Sequence, residues 1–218
     1  MIVLAFALTI VIAYFLGGVN SAIIVTKIRS GNDIRDVGSG NAGLTNTLRT
    51  QGKLSALYVL IGDVSKGLLA VFIAKIIFYI FTGLNIADVS NGLYYAHYVA
   101  VTACTLGHIF PPLYSFKGGK GILVTASALL VAEPFSAIIL ILIFIALVSL
   151  TKYVSVGSLA AAFCLPITTT LYSWAKGDQT LYTNLIITVL LGGLVIFMHR
   201  GNIKRLIAGN EKKLGQKE

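Results

Sequence analysis

The chain has 218 residues, of which 56% are hydrophobic and only 11% charged, with a mean hydropathy of +0.87. Soluble domains carry about 25% charged residues, so this composition excludes an ordinary soluble enzyme, a disordered chain and a basic nucleic-acid-binding domain. It reads as an integral membrane protein forming a single polytopic domain over residues 1–218, whose net charge of +9 concerns topology and anionic ligands.

A bilayer core of about 30 Å takes about 20 apolar residues in helical form. The first apolar run, Ile2 to Val25, has no basic leader and exceeds the apolar core of a signal peptide, about 7–15 residues, so it reads as an uncleaved first span. Leu54 to Phe81, Leu93 to Leu113, Val156 to Trp174 and Leu181 to Met198 read as further spans. Gly121 to Leu150 reads either as one long helix or as two short spans broken at Glu133-Pro134, since proline disfavours helix at the residue before it.

Charge separates the two readings. With seven spans and the N-terminus outside, fourteen Lys and Arg residues, from Lys27 to Lys217, fall on the cytoplasmic side. Lys176 alone falls outside, and Lys66 and Lys75 lie within a span. With six spans the division is eight against seven, which is no asymmetry. The positive-inside rule favours seven, with the C-terminus cytoplasmic. The predicted fold class is therefore an all-α integral membrane protein with seven transmembrane helices.

Three polar segments then share the cytoplasmic face. In the loop between the first two spans, Gly38-Ser39-Gly40-Asn41-Ala42-Gly43 matches GxGxxG literally, and Asp63 lies twenty residues after Gly43. A dinucleotide site needs a preceding strand and a βαβ unit, and Asp63 sits inside a span, so that reading is refused. The glycines can still turn backbone N–H groups together as an anion nest. Ser39, Asn41, Thr45 and Asn46 add short polar side chains, and Arg49 a planar fork suited to phosphate. The second segment, Phe116-Lys117-Gly118-Gly119-Lys120-Gly121, opens a span whose positive dipole end faces the loop. It is not a P-loop, because no Ser or Thr follows Lys120. The third, His199-Arg200-Gly201-Asn202-Ile203-Lys204-Arg205, ends the last span, and a continued helix would put His199 and Asn202 on one face. Each segment alone also fits a polar turn or a basic stop at the membrane surface.

Asp63 and Lys66 are i,i+3 neighbours within a span, where insertion costs about 2.5–3.5 kcal/mol per charge, so they read as a pair or as facing a polar cavity. His97 and His108 read as satisfied histidines near span ends, and Glu211 as a surface or ion-pairing residue. Cys104 and Cys164 sit in apolar runs without zinc-type spacing to the histidines, and no metal or cofactor is implied.

Taken in order, these residues resemble a known family. They are Gly38-Ser39-Gly40-Asn41-x-Gly43-x-Thr45-Asn46-x-x-Arg49, then Asp63-x-x-Lys66-Gly67, then Gly107-His108-x-Phe110-Pro111 leading to Phe116-Lys117-Gly118-Gly119-Lys120-Gly121. His199-Arg200-x-Asn202-Ile203-x-Arg205-Leu206 follows, with Gly209 and Glu211. The pattern resembles the bacterial acyl-phosphate:glycerol-3-phosphate acyltransferases, the PlsY family, over Gly17 to Gly215. The chain departs from the usual pattern at Asn20, where proline is usual, at Leu44, where a smaller residue is usual, and after Gly121, where Ile122-Leu123-Val124-Thr125 displaces a threonine.

The resemblance implies acyl transfer from acyl phosphate to the 1-hydroxyl of glycerol 3-phosphate, giving lysophosphatidic acid and phosphate at the cytoplasmic face of the bacterial cell membrane. It implies Ser39, Arg49, Lys120, His199 and Asn202 as catalytic residues, with Arg49 and Lys120 on the phosphates and His199 and Asn202 orienting the glycerol. It implies Asn41, Gly43, Thr45, Asn46, Gly118 and Gly119 as substrate-binding. The proton acceptor is either His199 or a substrate phosphate. The commoner glycerolipid acyltransferases place an Asp five residues after a His. Here Thr102, Leu113 and Lys204 stand at that distance from His97, His108 and His199. A transporter of a phosphorylated solute is the competing class, but transporters place ionisable groups at the midplane between repeats, and no repeat is visible.

Overall fold

The computed structural model describes residues 1–216, so Lys217, counted above among the cytoplasmic cations, lies outside the described residues. Nine α-helices occur among the described residues, and no strand. Five segments are long and apolar enough to cross a membrane: Ile2–Ser30, Leu44–Thr82, Pro134–Thr151, Val154–Ala175 and Leu181–Met198.

The first span is not continuous. Helix α1, Ile2–Gly18, gives way at Val19 to α2, Ser21–Ser30. Asn20 makes the break by capping α2: its side-chain oxygen accepts the Ile23 N–H at 3.0 Å, satisfying one of the donors a helix start leaves open. Its amide nitrogen donates to the Ala42 carbonyl at 3.4 Å, tying this joint to the glycine loop. Helix α3, Leu44–Thr82, contains one non-helical residue, Gly52, at φ 79°. A short polar stretch, residues 44–51, therefore precedes the apolar stretch expected from Leu54.

Helix α4, Ala96–Ile109, is shorter than the expected Leu93–Leu113, because Phe110-Pro111-Pro112 leaves the helix. It is buried along most of its length and packs against α1, α3 and the next helix, α5, Ile122–Ala132. Gly17 and Gly107 let the backbones of α1 and α4 touch. A Cβ on Gly17 would strike the Cys104 carbonyl, and one on Gly107 the Tyr14 carbonyl. Cys104 is buried and Cys164 half-buried, and neither is bonded to the other.

The long apolar stretch divides at Glu133, where α5 ends and α6, Pro134–Thr151, begins with proline at its first position. The Glu133 carboxylate is buried and accepts the hydroxyls of Tyr98 and Ser136, which ties the joint to α4. Helices α7, Val154–Ala175, and α8, Leu181–Met198, pair with each other and with α6 and α4. Their joint is closed by Asp178, which accepts from Ser173, Thr180 and Asn184. After His199 the chain turns into α9, Arg200–Ile207. Outward faces carry Phe72, Ile80, Leu142, Phe163 and Leu190 in exposed positions, an arrangement that water penalises and lipid does not.

Candidate active site

The glycine loop enters α3 through an open cap. Gly38 and Gly40 hold φ of 60° and 70°, left-handed values that glycine adopts without strain. Gly43 caps α3 with no side chain, so the N–H groups of Leu44, Thr45 and Asn46 keep the partial positive charge of a helix start. Asn46 is 1% exposed and its side chain is turned to the loop. It accepts the Ser39 N–H at 2.9 Å and donates to the carbonyls of Ile34 and Val37 at 3.2 and 3.0 Å. The side-chain hydrogen bonds expected from Asn46 toward a ligand therefore go to the loop that presents Ser39. Arg49, one turn further, donates to the Lys212 carbonyl at 3.0 Å, so the C-terminal tail reaches this helix.

A correction applies to Gly118 and Gly119. Their N–H groups donate to the carbonyls of Ile109 and His108 at 3.0 and 3.1 Å, so they satisfy the end of α4 and are not an anion nest. A Cβ at Gly118 would strike the His108 carbonyl, and one at Gly119 the His108 ring. These glycines are small because α4 lies against them. The ligand-facing backbone begins two residues later, at Gly121, which caps α5 at φ 90° with no side-chain hydrogen bond. Lys120 sits between them. Burial first, then the charges of Arg205 and Arg49, lower its pKa from 10.5 to about 8, against the raising effect of Glu211.

His199 and Asn202 line the same cavity, although α8 ends at Met198 and no single helix carries both. His199 Nδ1 lies 2.8 Å from the Val195 carbonyl. A carbonyl only accepts, so the proton is on Nδ1 and Nε2 bears the lone pair. Burial lowers the His199 pKa to about 4, and Lys120 adds to the effect. Asn202 accepts from the Lys120 ammonium and donates to Glu211 at 2.6 Å. Arg205 pairs with the other Glu211 oxygen at 2.7 Å. Burial raises the Glu211 pKa, but the hydrogen bonds from Asn202 and Arg205, with the Arg205 charge, outweigh it and hold the carboxyl below its ordinary value. The result is one chain of contacts, Lys120 to Asn202 to Glu211 to Arg205.

These groups open on a cavity of about 370 Å³. Ser39, Asn41, Gly43, Thr45, Asn46, Arg49, Lys120, His199 and Asn202 line one part of it, together with the start of α5. Leu130, Ile141, Phe144, Ala161 and Leu165 line an apolar continuation between α5, α6 and α7. Two uncapped helix starts and several cations at one end, and hydrocarbon at the other, suit an amphiphile with an anionic head. Among the described residues, no cluster of three or more His, Cys, Asp or Glu could hold a metal ion. Sequence reasoning did not place Arg205, Glu211, Ser155 or His108 in the cavity wall; Asp63, read as pairing with Lys66 or as facing a polar cavity, does both. The Asp63–Lys66 spacing was the available signal for the last group, and their ion pair measures 2.8 Å.

Residues 7–209 match the family described as glycerol-3-phosphate acyltransferase. A curated glycerol-3-phosphate acyltransferase of Clostridioides difficile (strain 630) is 38% identical over 99% of this chain and 98% of its own length. One of Coxiella burnetii (strain CbuG_Q212) is 40% identical over 97% and 99%. Among solved structures, PlsY, described as an integral membrane glycerol 3-phosphate acyltransferase, is similar in its glycerol 3-phosphate form, with a TM-score of 0.78, 30% identity and 96% of each chain covered. Its lysophosphatidic acid form gives a TM-score of 0.75 at 28% identity, with 96% of this chain and 95% of that one covered.

Proposed function

This chain belongs to the glycerol-3-phosphate acyltransferase family, and from that premise we propose how its cavity transfers an acyl group from acyl phosphate to the 1-hydroxyl of glycerol 3-phosphate. The observation that carries the reading is the two-ended cavity: cations and open helix starts at its mouth, an apolar slot behind. The slot takes the fatty chain and the mouth takes the phosphates of both substrates.

The residues divide the work. Arg49 and Lys120 hold phosphates, the first as a fork and the second as a point charge. The starts of α3, at Leu44 and Thr45, and of α5, at Gly121, supply backbone donors, while Gly43, whose own N–H donates to the Asn41 carbonyl at 3.0 Å, leaves that helix start uncapped. Ser39 and Asn41 add side-chain hydrogen bonds, and Asn46, Gly118 and Gly119 act as positioning residues. Asn202, expected from the resemblance to orient the glycerol, is held by Glu211 and orients Lys120 instead. The neutral His199 accepts a hydrogen bond at Nε2 from the 2-hydroxyl of glycerol 3-phosphate, which aims the 1-hydroxyl oxygen at the acyl group and leaves its proton free. That oxygen adds to the acyl carbonyl carbon, the bond from that carbon to the phosphate oxygen breaks, and phosphate leaves. A base titrating near 4 removes protons poorly at neutral pH, so the hydroxyl proton passes to a substrate phosphate. Phosphate is a good leaving group, so positioning and charge stabilisation carry the rate without a covalent enzyme intermediate.

The chain forms one polytopic domain, residues 1–218, that crosses the bacterial cell membrane seven times, N-terminus outside and site cytoplasmic. Parity supports this. Lys120 bonds Asn202, Arg49 bonds the Lys212 carbonyl, and the Leu214 N–H bonds the Lys152 carbonyl, so the chain returns to one side between each of these points. The short α4 and α5 must then each count as a crossing. Labelling of the Gly38–Arg49 loop and the tail from opposite sides of the membrane tests it, and exposure on different sides would end the proposal of a shared centre.

The activity test is incubation of purified protein with palmitoyl phosphate and labelled glycerol 3-phosphate, with palmitoyl-CoA as comparison. Lysophosphatidic acid from the first donor alone is expected. Transfer from palmitoyl-CoA alone would overturn the assignment of donor.

A further inference from the structure

Lys66 stands on α3 opposite the end of α4, and its ammonium has three protons and no lone pair. Three groups meet it: Asp63 at 2.8 Å, the Val19 carbonyl at 2.9 Å and His108 Nδ1 at 2.9 Å. An ammonium can only donate, so Nδ1 of His108 accepts and the ring proton lies on Nε2. Among the described residues no protein group accepts that proton, and the ring, 4% exposed, lines the cavity. The Nε2 edge lies against Gly119, where any side chain would collide with it, one residue before Lys120. The cavity thus holds two histidines in opposite tautomers: His199 with an accepting Nε2, and His108 with a donating one.

We propose that His108 is a further catalytic residue, donating its Nε2–H to an oxygen of the bound acyl phosphate that carries or gains negative charge. Asp63 and Lys66 are positioning residues: they fix the tautomer and bind the ring to the joint between α1 and α2 through Val19. This gives the buried pair a purpose that folding alone does not require, since a buried ion pair is weak evidence for stability. It also explains why Gly119 carries no side chain. The proposal rests on the acyl-phosphate reading, and it names a donor that this reading did not include. The oxygen belongs either to the carbonyl, which becomes an oxyanion during attack, or to the phosphate, which is charged from the start.

Two variants and one spectrum decide it. His108→Phe keeps a ring but removes the donor, and His108→Gln returns an N–H near Nε2. In the assay with palmitoyl phosphate, His108→Phe is expected to lower kcat/KM about 100-fold, as loss of one preorganised donor does. His108→Gln is expected to recover at least about tenfold of that loss, a rescue that packing alone would not produce. A fall confined to kcat assigns the carbonyl oxygen, and a rise in KM for palmitoyl phosphate assigns the phosphate. In wild-type protein with ¹⁵N-labelled histidine, His108 is expected to show the Nε2–H tautomer at neutral pH. Its Nε2–H resonance should move when a palmitoyl phosphonate is added.

An Nδ1–H tautomer, a resonance unmoved by saturating phosphonate, or equal activity of the two folded variants would overturn the proposal. If His108→Phe does not fold, the wild-type spectrum and His108→Gln still decide. Should wild-type protein transfer no acyl group, the acyl-phosphate reading fails, while the tautomer assignment is judged separately.

Discussion

Lys120 offers the sharpest test of the charge arrangement. Burial and two neighbouring arginines lower its pKa from 10.5 to about 8, which amounts to about 3 kcal/mol against the ammonium in the empty site. A phosphate dianion reverses this penalty on binding. Because the folded protein holds this proton more weakly than the unfolded chain does, the unliganded protein gains stability as pH rises from about 8 toward 10.5. Activity runs the other way. At pH 9 only about one molecule in ten keeps the ammonium, so kcat/KM for glycerol 3-phosphate should fall about tenfold near that pH. At saturation kcat should hold to higher pH, since bound phosphates stabilise the charge. Replacing Lys120 with Arg, which stays protonated, should lower the rate but flatten the alkaline limb beyond pH 9. The assay is initial rates from pH 7 to 10, with thermal unfolding of both proteins as a control on folding. A wild-type profile flat to pH 9.5, or the same limb in the arginine variant, would refute the reasoning.

Arg49→Lys should cost about 100-fold in kcat/KM for glycerol 3-phosphate, since a point charge cannot reproduce the fork and its bond to the Lys212 carbonyl. Titration calorimetry giving near-wild-type affinity would dismiss Arg49 as the phosphate fork. His199→Gln should lower the rate about tenfold or more yet keep the wild-type pH profile between pH 5.5 and 7.5, because the neutral imidazole does not titrate there. An acid limb near pH 6.5 that disappears in this variant would make His199 the proton acceptor. Asn46→Ala removes three hydrogen bonds to the Ile34–Ser39 loop and should destabilise the protein by about 2 kcal/mol while raising KM for glycerol 3-phosphate. Unchanged unfolding temperature and KM would show that the loop holds itself.

The sequence by itself determined the solvent of this protein and the neighbourhood of its chemistry. Transfer into lipid is nearly additive over a segment, so counting apolar residues finds the long helices, and Pro134 marks the division of Gly121 to Leu150 because its effect on the preceding residue is local. The Asp63–Lys66 pair was equally legible, because two charges three residues apart in an apolar run have few other ways to be tolerated. Only the tertiary structure decided which polar group serves which partner. Gly118 and Gly119 read as ligand-binding backbone until α4 is seen to occupy their N–H groups. Asn46 reads as a ligand contact until its loop is seen to engage both ends of its amide. Arg205 and Glu211 enter through a contact between Lys120 and Asn202, 82 residues apart, and His108 through one with Lys66, 42 residues away. Hydropathy and helical period belong to a segment and can be read along it. A hydrogen bond belongs to two groups at once, and its second partner is known only when the chain has folded.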